Sequence, residues 1–425
     1  MHRIIYSLYF LTLFCGYTYA QNAEIEKFLN RHREIRGELA EVDSPFTATY
    51  ELSLRQPLDH RDTSAGFFEQ RLVLSHRSFA APMVMITEGY SLARRRPNLR
   101  EVAEIFAANE IQVEYRYHGE SLPDSLDWAY LNMAQAAADL HAIRVLLGRL
   151  YGQAWLATGF SKGGQTCLAY RYYYPEDVQC SIPYVAPLNA AQADPRIDVF
   201  FHSVGDAQTR ARLQAFQRLV LSQREAMITR LQRYALGARL RFSIGLDRAL
   251  DYLVLEYPFS FWQYHQLSSD AIPDATAGPD SLLRHLRKIV RFSSYADVSL
   301  NSPSMFQFMT ELGYYSYIEE HLADLLSQPG NYANAAYAPQ DVDLTYNPTY
   351  NRKLTAWLAE KGERMLYIVG GNDPWGATHV QPAPERDAHL FILPNGNHLT
   401  YMRSFPVATQ EQIKAIVNHW LVRKP

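Results

Sequence analysis

The rhythm of apolar and polar positions changes along the chain, and each change marks a different kind of element. Residues 24–41 are polar with helical spacing, which predicts a short N-terminal helix or arm. From Thr47 the spacing shortens to strand-like alternation. Residues 48–54 (ATYELSL) and 67–74 (FFEQRLVL) both alternate, and the turn-rich stretch 59–66 between them predicts a hairpin. Strand and helix patterns then take turns. Apolar runs at 82–87, 111–115, 155–158 and 180–185 read as strands, with helical stretches at 99–108, 129–151 and 164–174. Such alternation predicts a parallel sheet covered by helices on both faces.

Between about Asn189 and Tyr350 the strand pattern stops. Helical stretches at 209–236 and 281–291 take over, with the aromatic-rich run Tyr257-Pro258-Phe259-Ser260-Phe261-Trp262-Gln263-Tyr264 among them. Those aromatics could form the insertion's own core or wall the mouth of a site; the pattern leaves both readings open. Strands resume at 365–369 and 390–393, followed by an amphipathic helix at 410–422. The expected organisation is an α/β core in two parts, 21–188 and 351–425, interrupted by a helical insertion at 189–350.

The 425 residues are 48% hydrophobic and 20% charged, an ordinary globular composition long enough for two units or one interrupted domain. A net charge of -3 argues against a nucleic-acid partner, and Arg94-Arg95-Arg96 reads as a solvated face. Residues 1–20 resemble a signal peptide: Arg3 leads an apolar run from Ile4 to Cys15, and Thr18 and Ala20 offer a small-residue exit. The run is short of the ~20 residues that span a bilayer, and Phe14 is bulky where a lipid anchor on Cys15 would want a small neighbour. Cleavage after Ala20 predicts export to a periplasm or the outside, with no membrane span in the mature chain. Only Cys167 and Cys180 then remain, compatible with two buried thiols or one bridge, and no zinc spacing is present.

The candidate chemistry centres on Gly159-Phe160-Ser161-Lys162-Gly163-Gly164, a G-x-S-x-G with a strand running in and a helix running out. That setting lifts the Ser161 hydroxyl onto a sharp turn and puts the Lys162 N–H at a helix N-terminus, a suitable oxyanion donor. A serine needs a base and the base an orienting acid. Asp373 follows the strand at 365–369 and His398 the strand at 390–393, in the order serine, acid, histidine. Asp341, Asp343, Asp387 and His419 are placed less well. The loop Gly89-Tyr90 would supply a second oxyanion donor through the Tyr90 N–H. Glu88 and Glu114 fall at strand ends, where ligands bind in such sheets. They are candidates to receive a substrate cation such as a peptide's α-ammonium; alternatively, Glu114 pairs with Arg116 or another internal cation. The expected fold is an α/β hydrolase with an inserted helical cap, needing no metal or organic cofactor.

Two further segments carry a family resemblance. Gln56-Pro57-Leu58-Asp59-His60 with Phe68-Glu69-Gln70-Arg71, and Glu114-Tyr115-Arg116-Tyr117-His118-Gly119-Glu120-Ser121, resemble secreted serine exopeptidases of the prolyl carboxypeptidase and dipeptidyl peptidase type. Phe160 and Lys162 depart from the lysosomal branch, and Ser-Lys-Gly-Gly is more similar to the bacterial tripeptidyl aminopeptidases of PS-10 type. The resemblance implies release of short peptides from free N-termini by Ser161, Asp373 and His398, with His118 standing where relatives often carry an aromatic. A carboxylic-ester hydrolase on the same triad and a non-catalytic binding protein are the competing expectations.

Overall fold

The structure, a computed structural model, describes residues 21–42, 44–92 and 101–422. The expected signal at 1–20 and the run Arg94-Arg95-Arg96 lie outside the described residues. The strands are β1 (Ile35–Ala40), β2 (Ala48–Pro57), β3 (Phe67–His76), β4 (Met83–Thr87), β5 (Asn109–Val113), β6 (Trp155–Phe160), β7 (Cys180–Tyr184), β8 (Met365–Gly370) and β9 (Ala388–Leu393). Among the described residues they form one sheet in the order β1-β2-β3-β5-β4-β6-β7-β8-β9. The pairs from β1 to β5 are antiparallel, and every pair from β5 to β9 is parallel. An antiparallel lead-in, a swap of the first two parallel strands, then simple progression is the α/β-hydrolase fold.

Local pattern and tertiary demand agree through the centre of the sheet. β4, β6, β7 and β8 are buried along nearly their whole length, which is why they read as continuous apolar runs. The polar stretch 24–41 is different. Residues 21–31 are helical, but Ile35–Ala40 is a strand in register with β2, Ile35 opposite Leu54. The open edge of β2 needs hydrogen-bond partners, and that demand overrides a helical pattern with only Ile35 fully buried.

Between β7 and β8 the chain is helical and builds an apolar cluster of its own, including Leu213, Phe216, Leu231, Leu253, Tyr257 and Leu286. The helix expected at 209–236 is two, Ala207–Ser222 and Arg224–Ala238, broken at Gln223 (φ −103°, ψ 28°). No breaker residue marks that corner; packing of both helices on Leu246–Ser260 makes it. Leu246–Ser260 tolerates Pro258 because Gln217 Nε2 donates to the Val254 carbonyl at 2.8 Å, replacing the N–H that proline lacks. The helix then widens into a π turn, Phe261–His265, where it meets the carboxyl edge of the sheet.

Candidate active site

Ser161 sits between β6 and the helix Lys162–Tyr173 with φ 59° and ψ −122°, a conformation costing a non-glycine residue about 1–3 kcal/mol. The turn is held from both sides: the Ser161 N–H donates to Tyr184 O at 2.9 Å, and the Gln165 N–H donates to Ser161 O at 3.0 Å. The flanking glycines are required by space. A methyl on Gly159 would lie 2.1 Å from the Gly163 carbonyl oxygen, and one on Gly163 2.4 Å from that of Thr87.

His398 and Asp373 meet after β9 and β8. His398 Nδ1 lies 2.7 Å from Asp373 Oδ2, and the Trp375 N–H donates to Asp373 Oδ1 at 3.2 Å. Both side chains are buried, with 2% and 0% exposure. Burial raises the Asp373 carboxyl above its ordinary value, and His398 opposes that rise. The histidine is also held by the insertion. Its N–H donates to Gln263 O at 2.9 Å, Asn397 Nδ2 donates to Tyr264 O at 3.1 Å, and the rings of Phe160 and Tyr264 stand edge-on to the imidazole.

Ser161 and His398 open onto one cleft of about 940 Å³, walled by both the sheet edge and the insertion. Its apolar surfaces come from Tyr90, Phe160, Phe259, Tyr264, Tyr314 and Trp375. The aromatic run of the insertion is therefore divided: Tyr257 and Phe261 belong to its own core, while Phe259 and Tyr264 face the cleft.

Lys162 has two separate contacts with this site. Its backbone begins the helix after Ser161, and its side chain, 1% exposed, turns back beneath the loop at Gly89. Nζ donates to the Gly89 carbonyl at 2.8 Å and lies 3.5 Å from the centroid of the Tyr115 ring. Burial holds its ammonium well below the usual range, with the nearby Glu311 carboxylate opposing. Gly89 must be glycine here, since a methyl would lie 2.6 Å from Lys162 Cβ.

The structure does not bring Glu88 or Glu114 into the cleft, correcting the expectation that they meet a substrate cation. Both are buried behind the sheet edge, 4% and 1% exposed, and neither lines the cleft. Glu114 accepts from the Leu92 N–H at 2.9 Å, the Glu120 N–H at 2.9 Å, the Ser121 N–H at 3.0 Å and the Ser121 hydroxyl at 2.8 Å. Those bonds occupy the carboxylate and tie down the 115–121 loop. Arg116 pairs with Asp139 instead, its Nε 2.8 Å from Oδ2. His118 is also behind the wall: Nδ1–H donates to Arg116 O at 3.0 Å and Nε2 accepts from the Ser304 hydroxyl at 2.7 Å. The carboxylate that does line the cleft, Glu256, was not singled out from the sequence. Its signal was present as an acid inside the otherwise apolar helix stretch Leu253-Val254-Leu255-Glu256-Tyr257.

Cys167 and Cys180 are buried, unbridged thiols, both pushed up to about 12 chiefly by burial. Among the described residues no group of three His, Cys, Asp or Glu side chains is placed to hold a metal ion, and no helix is long and apolar enough to cross a membrane.

Residues 30–422 match the family described as PS-10 peptidase S37. This chain belongs to that family. The S37 chain is 34% identical over 379 residues to the prolyl tri/tetrapeptidyl aminopeptidase of Streptomyces mobaraensis, covering 87% of this chain and 79% of that protein. It is a serine peptidase. Among solved structures, the proline iminopeptidase of Mycobacterium smegmatis aligns at TM-score 0.43 and 15% identity, covering 87% of this chain and 97% of that one. A peroxisomal α/β-hydrolase of Saccharomyces cerevisiae aligns at TM-score 0.38 and 14% identity, covering 92% and 90%.

Proposed function

We propose that this S37 peptidase is an exported exopeptidase that releases short peptides, tripeptides foremost, from free N-termini through an acyl-enzyme on Ser161. The observation that carries the reading is the strained Ser161 turn opening onto the same cleft as the buried Asp373–His398 pair. Ser161 Oγ attacks the scissile carbonyl while His398 Nε2 takes its proton and returns it to the leaving amine. Asp373 keeps the Nδ1 proton on His398 and stabilises the imidazolium. The N–H groups of Lys162 and Tyr90 receive the oxyanion, and water completes the cycle by attacking the ester. Residues 21–188 and 351–425 supply this machinery, and the 189–350 cap closes over the cleft. Export rests on the charged, apolar and small-residue zones of 1–20. The name of the Streptomyces relative supports peptides with free N-termini as the substrates.

A fluorogenic tripeptide amide, free and N-acetylated, tests the reading with purified protein and Ser161→Ala. Cleavage of the free form, abolished in the variant, is expected. Equal cleavage of both forms would remove the exopeptidase assignment, and turnover of simple esters alone would replace it with an esterase.

A further inference from the structure

Glu256 is a carboxyl group set into the cap's side of the cleft. It is 7% exposed and lines the cleft together with Val290, Arg291, Ser294 and Tyr295 of the same insertion. Its described partners are hydroxyls: Ser260 donates to Oε1 at 2.6 Å, Tyr315 donates to Oε2 at 2.5 Å, and the Tyr295 hydroxyl also bonds the carboxylate. Arg291 lines the cleft too, but it is exposed and its Nε donates to the Ser293 hydroxyl; among the described residues Glu256 has no ion pair. A buried carboxylate supported only by neutral donors is costly to keep charged, and a cation arriving in the cleft repays that cost. Burial accordingly raises its carboxyl above the ordinary value, the hydroxyls opposing.

Its place along the chain adds a length. Glu256 and Gln263 lie on one continuous helical run, and Gln263 O accepts the His398 N–H at 2.9 Å. Seven steps separate them, four within the α-helix and three into the π turn, so their backbones stand about 10 Å apart along the axis. An extended peptide advances about 3.3–3.6 Å per residue, so about three residues fill that span.

We infer that the Glu256 carboxylate receives the substrate's α-ammonium and that its separation along this helical run from Gln263, which braces His398, sets the number of residues released. This rests on the exopeptidase reading above. It gives the cap a role in specificity that is separate from walling the cleft: the amine is read on an insertion helix, and the same helix braces the catalytic histidine's loop.

The test uses the full chain and Glu256→Gln with free and N-acetylated tripeptide amides and a free dipeptide amide. Wild type is expected to prefer the free tripeptide. Glu256→Gln should shrink the free-over-acetylated ratio of kcat/KM by about a hundredfold, the scale of losing one partner of a buried charge pair. A purely structural role would lower both substrates together and leave the ratio intact, overturning the inference. The dipeptide amide should be poor in wild type because its ammonium falls one residue short; turnover equal to the tripeptide's overturns the length argument. If Glu256→Gln fails to fold, Glu256→Asp keeps the charge but withdraws it, and the ratio should still fall; an unchanged ratio overturns the inference. Equal cleavage of free and acetylated tripeptides by wild type defeats the exopeptidase reading itself, whereas a wild-type preference that survives in Glu256→Gln defeats only the role of Glu256.

Discussion

Replacing Lys162 by methionine separates the two jobs assigned to that residue. The backbone N–H, one proposed oxyanion donor, is retained, and the unbranched side chain still fills the space under the Gly89 loop. What disappears is the 2.8 Å hydrogen bond from Nζ to the Gly89 carbonyl. That carbonyl and the Tyr90 N–H are opposite ends of one planar trans peptide, so a donor fixed on the oxygen also aims the N–H the other way and polarises it. Complete loss of an oxyanion donor costs about 10²–10³ in kcat, roughly 2.7–4 kcal/mol. Lys162→Met leaves the donor present but unaimed, so a fall of about tenfold to a hundredfold is expected, ~1.4–2.7 kcal/mol. KM should hardly move, because the interaction is made to charge that exists only in the transition state. Stability should change little: an unsatisfied carbonyl costs about 1–3 kcal/mol, while removal of a buried ammonium offsets it. The assay is steady-state hydrolysis of a free tripeptide amide, paired with inhibition by the matching peptide aldehyde, whose adduct carries the same oxyanion. Aldehyde affinity should weaken in step with kcat. Unchanged kcat in a folded Lys162→Met, or a loss confined to KM, would refute the argument.

Three further outcomes follow from the geometry. Asp373→Asn preserves the shape of the site but leaves His398 in the wrong tautomer, and kcat should fall about 10⁴-fold with KM retained; a loss below tenfold would remove Asp373 from the triad. Gly163→Ala places a methyl 2.4 Å from the Thr87 carbonyl oxygen, so backbone must move, and thermal unfolding should show about 3 kcal/mol of destabilisation. Glu311, pushed up to about 7 by burial, binds its proton more tightly folded than unfolded. Its contribution is therefore complete below about pH 4.5 and fades as pH rises through 7, by up to ~3 kcal/mol. Denaturant unfolding from pH 5 to 8 should show that decline, and Glu311→Gln should flatten it.

The placement of Ser161, Asp373 and His398 on one edge was legible because each lies on the loop or turn that follows an apolar strand run, and a parallel sheet delivers its strand ends to one edge. The glycines around Ser161 were legible for a related reason: tight strand-to-helix turns exclude side chains regardless of what lies elsewhere. Helix ends inside the insertion were not. Nothing near Gln223 breaks a helix locally, and the corner exists only because two helices share a third as their floor.

Carboxylates drew the same boundary more sharply. Glu88, Glu114 and Glu256 are all acids in apolar surroundings, and period and spacing treat them alike. Glu114 is consumed by three donors from the loop folded back over it and a fourth from the Leu92 N–H, whereas Glu256 reaches the cleft from a helix far along the chain. The sequence by itself determined the α/β alternation, the tight turn at Ser161 and the loops that carry Asp373 and His398, because each depends on neighbours within a few residues. Only the tertiary structure decided which buried carboxyl group lines the cleft, because cleft walls are built by packing segments that the chain keeps apart.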